Sequence, residues 1–218
     1  EEAAVQGTKA FVFTSTTSLY GDALQPRSTG DPAVWITEDT VPIPKNIYGV
    51  TKSTAEDLCQ LAHRNQGLNC VILRTSRFFP EDDDAVLHPD SGVEREFCNE
   101  NMKANEYLYR RVDIADVVSA HRHAAAQAPS LGFDKFIISA TTPFTPEDLG
   151  ALYLDGRGVV AKYFPEAQKL YARLNWNMNK TFDRVYCNEK ARRLLQWEPK
   201  FDFRYILERL AAGESIAS

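Results

Sequence analysis

A short apolar segment that ends in a run of hydroxyl side chains does most to limit the folds open to this chain. Residues 9–14 (KAFVFT) are apolar and aromatic, which is typical of a buried β-strand. Four hydroxyl residues follow at once, at positions 15–18. A second apolar segment, residues 70–73 (CVIL), also runs directly into polar residues, at positions 74–77. The two segments predict strands of one sheet whose polar ends could form a ligand site.

The segment between these two strands indicates how they are connected. Residues 48–66 have the periodicity of a helix, and Gly67 follows as a stop signal. A strand, a long loop, a helix and a strand in this order predict a βαβ unit with a parallel sheet. The apolar face of the helix is predicted to consist of Val50, Leu58, Leu61 and Ala62.

Further elements are predicted after the βαβ unit. Residues 113–128 indicate an alanine-rich helix with Asp113 as its N-cap. Residues 136–138 are typical of a third strand, and Thr145 followed by a proline marks the start of another helix. Two more helices are predicted from residue 188 and over residues 203–212.

The composition argues against several classes of protein. The chain has 218 residues, and its net charge of -5 without a basic run argues against nucleic-acid binding. No apolar run is long enough to span a membrane. The cysteines lack the spacing of a metal site, so we expect no bound metal and a reduced, cytoplasmic protein. They are Cys59, Cys70, Cys98 and Cys187.

Tyr48 and Lys52 are the strongest candidates for chemistry. They are four residues apart and therefore share one face of the predicted helix. The ammonium group of a lysine favours the phenolate form of a nearby tyrosine. With a hydroxyl from the preceding strand, best Thr16, the pair could pass a proton to or from an alcohol oxygen, while a cofactor accepts the hydride. Tyrosine and lysine at this spacing also occur by chance on helices that do no chemistry.

Several motifs in a fixed order make the chain resemble a known family. They are residues 11–21, the segment 48–52 with Glu56, residues 116–121 and the closing segment 190–199. As an ordered set they are similar to the extended short-chain dehydrogenases/reductases, the NAD-dependent epimerase/dehydratase family. The resemblance spans nearly the whole chain. It implies an α/β fold, namely the C-terminal part of a Rossmann-like, doubly wound parallel sheet with a small, mostly helical substrate lobe.

The resemblance also implies roles for individual residues. Thr16 would orient the substrate, Tyr48 would be the general acid or base, and Lys52 would hold the cofactor ribose. The expected cofactor is NAD or NADP, and the expected substrate is a small molecule, a sugar or nucleotide sugar. The residues expected to contact the cofactor are Thr14, Tyr48, Lys52 and Ser76. Those expected to contact the substrate are Thr16, Thr17, Arg77, Arg111 and Arg184.

The chain departs from the family pattern in ways that bear on the reaction. Dehydratases of the family carry Asp and Glu directly after the threonine, where this chain has Thr17 and Ser18, so loss of water is disfavoured. Arg77 stands where the family usually has Asn, and Arg110 and Arg111 are shifted from the position of its phosphate-binding arginine. These arginines could bind a pyrophosphate or form structural ion pairs, and the sequence favours neither alternative.

The glycine-rich loop that binds a dinucleotide pyrophosphate is missing from the sequence. Neither Gly-x-Gly-x-x-Gly nor Gly-x-x-Gly-x-x-Gly occurs. We therefore expect a fragment of a longer enzyme without its N-terminal dinucleotide-binding half, inactive in isolation and a homodimer at full length. Residues 1–79 and 112–140 are predicted to be the remaining part of the NAD(P)-binding domain. Residues 80–111 and 141–218 are predicted to form the substrate-binding lobe.

Together these expectations predict an NAD(P)-dependent epimerase or oxidoreductase that acts on a secondary alcohol of a sugar or nucleotide sugar through a Thr-Tyr-Lys triad. An epimerase or dehydrogenase is favoured over a dehydratase. The alternative is a non-catalytic NAD(P)-fold binding or scaffold protein in which the triad is a remnant. Nucleic acid and membrane are not expected partners.

Overall fold

The computed structural model describes residues 2–28, 30–78 and 99–216 of the chain. The strands within these ranges are Phe11–Thr16 (β1), Val34–Ile36 (β2), Cys70–Thr75 (β3), Phe133–Ile138 (β4) and Arg184–Tyr186 (β5). The α-helices there are Glu2–Val5 (α1), Ile47–Gln66 (α2), Asn99–Glu106 (α3), Ile114–Leu131 (α4), Leu149–Tyr163 (α5), Pro165–Arg173 (α6), Glu189–Leu195 (α7) and Phe203–Ala211 (α8). Cys98 and residues 80–98 of the predicted lobe lie outside the described residues.

The main sheet is parallel and joins three strands in the order β1-β3-β4. Thr16 pairs with Thr75, so the hydroxyl run of β1 ends level with the polar end of β3. The first two predicted strands and their parallel pairing are confirmed. The third predicted strand is also present, and it begins at Phe133 rather than at residue 136.

Helices cover both faces of this sheet. Neighbouring residues of a strand point to opposite faces, and accordingly Ser15 bonds to Glu56 of α2 while Thr14 bonds to His121 of α4. The face covered by α4 also receives α7, and its buried apolar side chains include Val71, Leu73, Phe136, Ile138, Ala191, Leu195 and Trp197. The predicted doubly wound α/β arrangement is therefore confirmed.

Helix α2 begins and ends where the sequence indicates, but it buries a different face. The Asn46 side chain accepts a hydrogen bond from the Gly49 N–H at 2.8 Å, and Gly67 ends the helix in the left-handed conformation. The predicted apolar face of Val50, Leu58, Leu61 and Ala62 is not the buried one, because the first three are 46%, 60% and 43% exposed. The helix instead buries Gly49 and Glu56, a small residue and a charged one.

Helix α4 is fixed by two aspartates. The Asp113 side chain accepts from the Ala115 N–H at 2.8 Å, which confirms the predicted N-cap. The buried Asp116 carboxylate accepts from the backbone N–H groups of Lys200 and Phe201 at 3.0 Å, so it attaches the C-terminal segment to the helix.

In the part of the chain that the structure describes, no helix combines the length and the apolarity needed to cross a membrane.

A second core lies between α5, α6 and α8. It is rich in aromatic rings, and Phe164 packs edge-on against Phe203 with the ring centroids 5.0 Å apart.

Strands β2 and β5 form a separate parallel pair, although about 150 residues separate them along the chain. The predicted division into a nucleotide-binding part and a lobe stays a prediction, and α7, which it assigns to the lobe, packs against α4 and β4.

The turn after the hydroxyl run requires glycine. Gly21 has a φ of +55°, and a Cβ atom at this position would lie 2.0 Å from the Ile43 carbonyl oxygen. We expect Gly21→Ala to lower the free energy of unfolding by more than about 1 kcal/mol, measured by urea denaturation. Gly150→Ala in α5 is the matched control, because a Cβ atom there meets open space. Equal stability of the two variants would contradict the prediction.

Candidate functional site

A cleft of about 670 Å³ lies at the carboxyl ends of β1 and β3. This is the edge at which the sequence predicts a ligand site. All but one of the predicted site residues line it: Thr14, Thr16, Thr17, Tyr48, Lys52, Ser76, Arg77 and Arg184. The cleft also contains Arg110, one of the arginines considered above for pyrophosphate binding, and residues without a predicted role: Ser15, Ser18, Leu24, Thr75, Phe78 and Tyr186.

Thr16 is the last residue of β1 and stands at the floor of the cleft. Its Oγ1 accepts a hydrogen bond from the Ser18 N–H at 3.1 Å, which caps the short 3-10 helix that follows the strand. The O–H of the same group still has its proton to donate. The Thr17 hydroxyl donates to the Thr75 carbonyl oxygen at 3.4 Å, which ties it to β3. Thr16 is thus a fixed hydroxyl at the point where the strand opens into the cleft.

Tyr48 and Lys52 line the cleft from the first two turns of α2. The Lys52 Nζ donates to the Thr14 carbonyl oxygen at 2.8 Å and lies 5.9 Å from the centre of the Tyr48 ring. Tyr48 itself is 49% exposed. As the spacing of four residues predicts, the phenol of Tyr48 and the ammonium group of Lys52 lie side by side in one cleft.

The Thr14 side chain points away from Lys52, towards α4. Its hydroxyl lies 2.7 Å from Nε2 of His121, whose Nδ1 lies 2.8 Å from the Val117 carbonyl oxygen. A carbonyl oxygen only accepts, so in the neutral imidazole Nδ1 carries the proton and the Thr14 hydroxyl donates to Nε2. The sequence offers no signal for this contact, which joins residues more than 100 positions apart.

Three arginines form part of the wall of the cleft. Arg77, Arg110 and Arg184 all line it, and each of their side chains is partly exposed. Arg110 pairs with Glu106, and Arg184 Nη1 lies 2.6 Å from an Asp183 carboxylate oxygen. Among the described residues that line the cleft, none is Asp or Glu. The wall therefore carries an excess of positive charge where a ligand would lie.

The structure corrects the choice between Arg110 and Arg111. Arg111 was predicted to bind substrate, but its side chain is 1% exposed, it does not line the cleft, and its Nη1 donates to Glu106 Oε2 at 2.8 Å. Arg111 forms a β-bridge with Arg77, whereas Arg110 is in the turn that follows α3, with its N–H bonded to the Glu106 carbonyl oxygen. Arg110 lines the cleft in its place.

Two further observations bear on what the cleft could bind. The Ser76 Oγ is buried and has no hydrogen-bond partner within residues 2–28, 30–78 and 99–216. In the same ranges, no group of three or more His, Cys, Asp or Glu side chains could hold a metal ion. The donors available to a ligand are therefore hydroxyl, ammonium and guanidinium groups.

Comparison with known proteins finds one matching family model. The model of the NAD dependent epimerase/dehydratase family matches residues 1–132. No curated protein sequence matches the chain significantly.

Solved structures resemble the chain in fold. One is a UDP-N-acetylglucosamine 4-epimerase from Bacillus cereus, at 16% identity and a TM-score of 0.56, which covers 96% of this chain and 64% of that one. Another is a short-chain dehydrogenase/reductase superfamily protein from Agrobacterium tumefaciens with bound NAD, at 19% identity and a TM-score of 0.59, covering 96% and 68%. A third is RMD from Pseudomonas aeruginosa complexed with NADPH, at 15% identity and a TM-score of 0.53, covering 93% and 65%. The predicted Rossmann-like fold is confirmed, and the chain spans about two thirds of the length of these proteins.

Proposed function

Since the chain belongs to the NAD-dependent epimerase/dehydratase family, we propose that its cleft interconverts a secondary alcohol and a ketone of a sugar or nucleotide sugar, with NAD or NADP as the hydride acceptor. The observation that carries the proposal is the meeting of Thr16, Tyr48 and Lys52 in one cleft at the carboxyl ends of parallel strands. Proteins of similar fold have been solved with NAD and with NADPH.

The donors of the cleft fit a nicotinamide cofactor. A ribose has adjacent hydroxyl groups that could bond to Lys52, to the Thr14 carbonyl and to Ser76 Oγ, which has no hydrogen-bond partner among the described residues. The bound nicotinamide would supply the hydride acceptor. Each of the three residues was predicted as a cofactor contact, and that assignment is part of the proposal.

The chain's own residues would handle the proton. Tyr48 would take a proton from the substrate alcohol, or return one to the ketone oxygen, as a general base or acid. Lys52 would stand beside the reacting phenol, with its Nζ bonded to the Thr14 carbonyl oxygen. Thr16, held in place by the Ser18 N–H, would donate its own O–H to the same substrate oxygen. These roles require both side-chain oxygens to face one substrate atom.

The lining of the cleft favours oxidation or epimerisation over loss of water. The places that hold Asp and Glu in dehydratases hold Thr17 and Ser18 here, and the Thr17 hydroxyl is already bonded to β3. No carboxylate stands among the described residues that line the cleft. We therefore propose an epimerase or dehydrogenase.

The arginine wall points to a substrate with an anionic group. A guanidinium binds phosphate and carboxylate through paired hydrogen bonds. We expect Arg110→Gln to raise KM for UDP-N-acetylglucosamine or glucuronate by about tenfold or more, since a hydrogen bond to a charged group is lost, and to leave KM for neutral glucose unchanged. Arg204→Gln is the control, because its exposed pair with Glu166 joins α8 to α6, outside the cleft. Equal KM effects on charged and neutral sugars would contradict an anion site.

The experiment that tests the proposed function is a turnover assay on the full natural protein. UDP-N-acetylglucosamine, glucuronate and glucose are offered with NAD or NADP, and reduced nicotinamide and epimerised sugar are measured. Turnover of any of these probes supports the enzyme. Binding of NAD or NADP without turnover of any of a wide panel of sugars and nucleotide sugars would favour the alternative, a non-catalytic binding or scaffold protein.

Oligomeric state and location complete the proposal. A homodimer is supported by the apolar side chains that α2 exposes: Ile47, Val50, Leu58 and Leu61. A cytoplasmic location is supported by the three cysteines in the described part of the chain, which are free thiols. Light scattering of the full natural protein measures the oligomeric state. Leu58→Lys is expected to weaken the dimer.

A further inference from the structure

A buried carboxylate lies directly beneath the cleft. Glu56 is four residues after Lys52 and eight after Tyr48, so all three share one face of α2. Whereas the first two turns open into the cleft, Glu56 is 1% exposed. The proposed chemistry does not use it. A buried charge is stable only with partners, and its partners show what it holds together.

Glu56 is bound by three side chains from three strands. The Ser15 hydroxyl of β1 donates to Oε1 at 2.6 Å. Arg74 of β3 donates from Nε to Oε1 at 3.0 Å and from Nη2 to Oε2 at 2.7 Å. Lys135 of β4 lies 3.1 Å from Oε2. Burial alone would raise the pKa of Glu56, but the hydrogen bonds and charge of Arg74, with help from Ser15 and Lys135, lower it below its ordinary value.

Two of these contacts adjoin segments of the cleft. Ser15 directly precedes Thr16, and Arg74 precedes the segment 75–77, which also lines the cleft. The Arg74 Nη1 also donates to the Tyr20 hydroxyl at 2.9 Å, which in turn donates to the Thr37 carbonyl oxygen. The carboxylate thus joins α2 to both strand ends that carry the site.

Lys52 provides a second attachment to the same strand. Its Nζ bonds to the carbonyl oxygen of Thr14, the neighbour of Ser15. Rotation of α2 about its axis, or a shift along it, would break both attachments together. We propose that Glu56, through Ser15, is a positioning residue that sets the rotation of α2 so that the Tyr48 hydroxyl faces a substrate held at Thr16. The inference rests on the proposed function.

Ser15→Ala in the full natural protein tests this role. The change removes one hydrogen bond and leaves the Glu56–Arg74 ion pair in place. We expect kcat to fall between tenfold and about a hundredfold with KM nearly unchanged, because misalignment of a reacting group by a fraction of an ångström acts on the transition state. Ser15→Thr, which keeps the hydroxyl, is expected to restore most of the rate. Glu56→Gln should lower kcat in the same way and supplies a second test.

A double-mutant cycle with Tyr48→Phe separates positioning from general loss of stability. If Ser15 acts through Tyr48, Ser15→Ala will have little further effect on the residual turnover of Tyr48→Phe. Full additivity of the two changes would overturn the proposal. Asp116→Asn is the matched control, a buried carboxylate on α4 that bonds only backbone N–H groups in the described residues. It should lower thermal stability while leaving kcat unchanged.

The outcomes separate the proposed function from the positioning role of Glu56. Unchanged turnover in Tyr48→Phe would contradict the proposed function itself. Strong loss in Tyr48→Phe with wild-type kcat in Ser15→Ala and Glu56→Gln would leave that function standing and overturn only the positioning role.

Discussion

Tyr48→Phe in the full natural protein is expected to lower kcat by about a hundredfold to ten-thousandfold, the range that a general acid or base contributes. The change removes one oxygen atom and keeps the ring. Lys52 and its bond to the Thr14 carbonyl remain, so the affinity for nicotinamide nucleotide should stay close to that of the wild type. Steady-state kinetics measure kcat, and calorimetric titration measures the affinity for the nucleotide.

A tyrosine elsewhere in the chain controls for the loss of a hydroxyl group. Tyr205 on α8 accepts a hydrogen bond from Arg209 and takes no part in the cleft. Tyr205→Phe should leave kcat at the wild-type value. A Tyr48→Phe variant with wild-type turnover would contradict the assigned role. If the variant lost nucleotide binding as strongly as turnover, Tyr48 would be a binding residue rather than the acid or base.

Arg74→Met is expected to have the largest effect on stability. It leaves the buried Glu56 carboxylate without the guanidinium that donates from two nitrogens, with Lys135 as the remaining cation. Removal of one partner from a buried ion pair costs about 3–5 kcal/mol, and Lys135 should keep the loss near the lower end. Urea denaturation with linear extrapolation measures it. Arg204→Met is the control, because its pair with Glu166 is exposed and should contribute less than about 1 kcal/mol.

The pH dependence of this loss has a definite sign. Because the pKa of Glu56 is lowered in the folded protein, its contribution to stability is present above the ordinary carboxylate pKa and is lost as pH falls through the folded value. In Arg74→Met burial would dominate and favour the protonated carboxyl group. The stability gap between wild type and variant should therefore narrow as pH falls from neutral towards about 4. A gap that stays constant with pH would contradict the ionic origin of the effect.

Local signals in the sequence were enough to predict the parts of the fold that depend on neighbouring residues. The three strands of the main sheet, the end of α2 at Gly67 and the N-cap at Asp113 each follow from a short pattern. The co-facial placement of Tyr48 and Lys52 follows from helix geometry alone. That they meet Thr16 follows from the parallel pairing of β1 with β3, which the βαβ order predicted.

The rest depends on contacts that a single sequence does not display. An apolar stripe usually marks the buried face of a helix, but α2 meets the sheet through Glu56 because Ser15, Arg74 and Lys135 compensate its charge. The choice of Arg110 over Arg111 depends on the turn that follows α3, which leaves Arg110 in the cleft and Arg111 buried. Tyr186 reaches the cleft only because β5 pairs with β2, far away in the chain.

The most direct test of the central claim follows the hydride. The full natural protein is given the sugar that it turns over, deuterated at the carbon that carries the reacting hydroxyl group. After a rapid quench, the nicotinamide is analysed by mass spectrometry. We expect deuterium on the nicotinamide ring with the wild type and its near absence with Tyr48→Phe. Product formed while the nicotinamide never carries deuterium would contradict the claim that this cleft oxidises an alcohol.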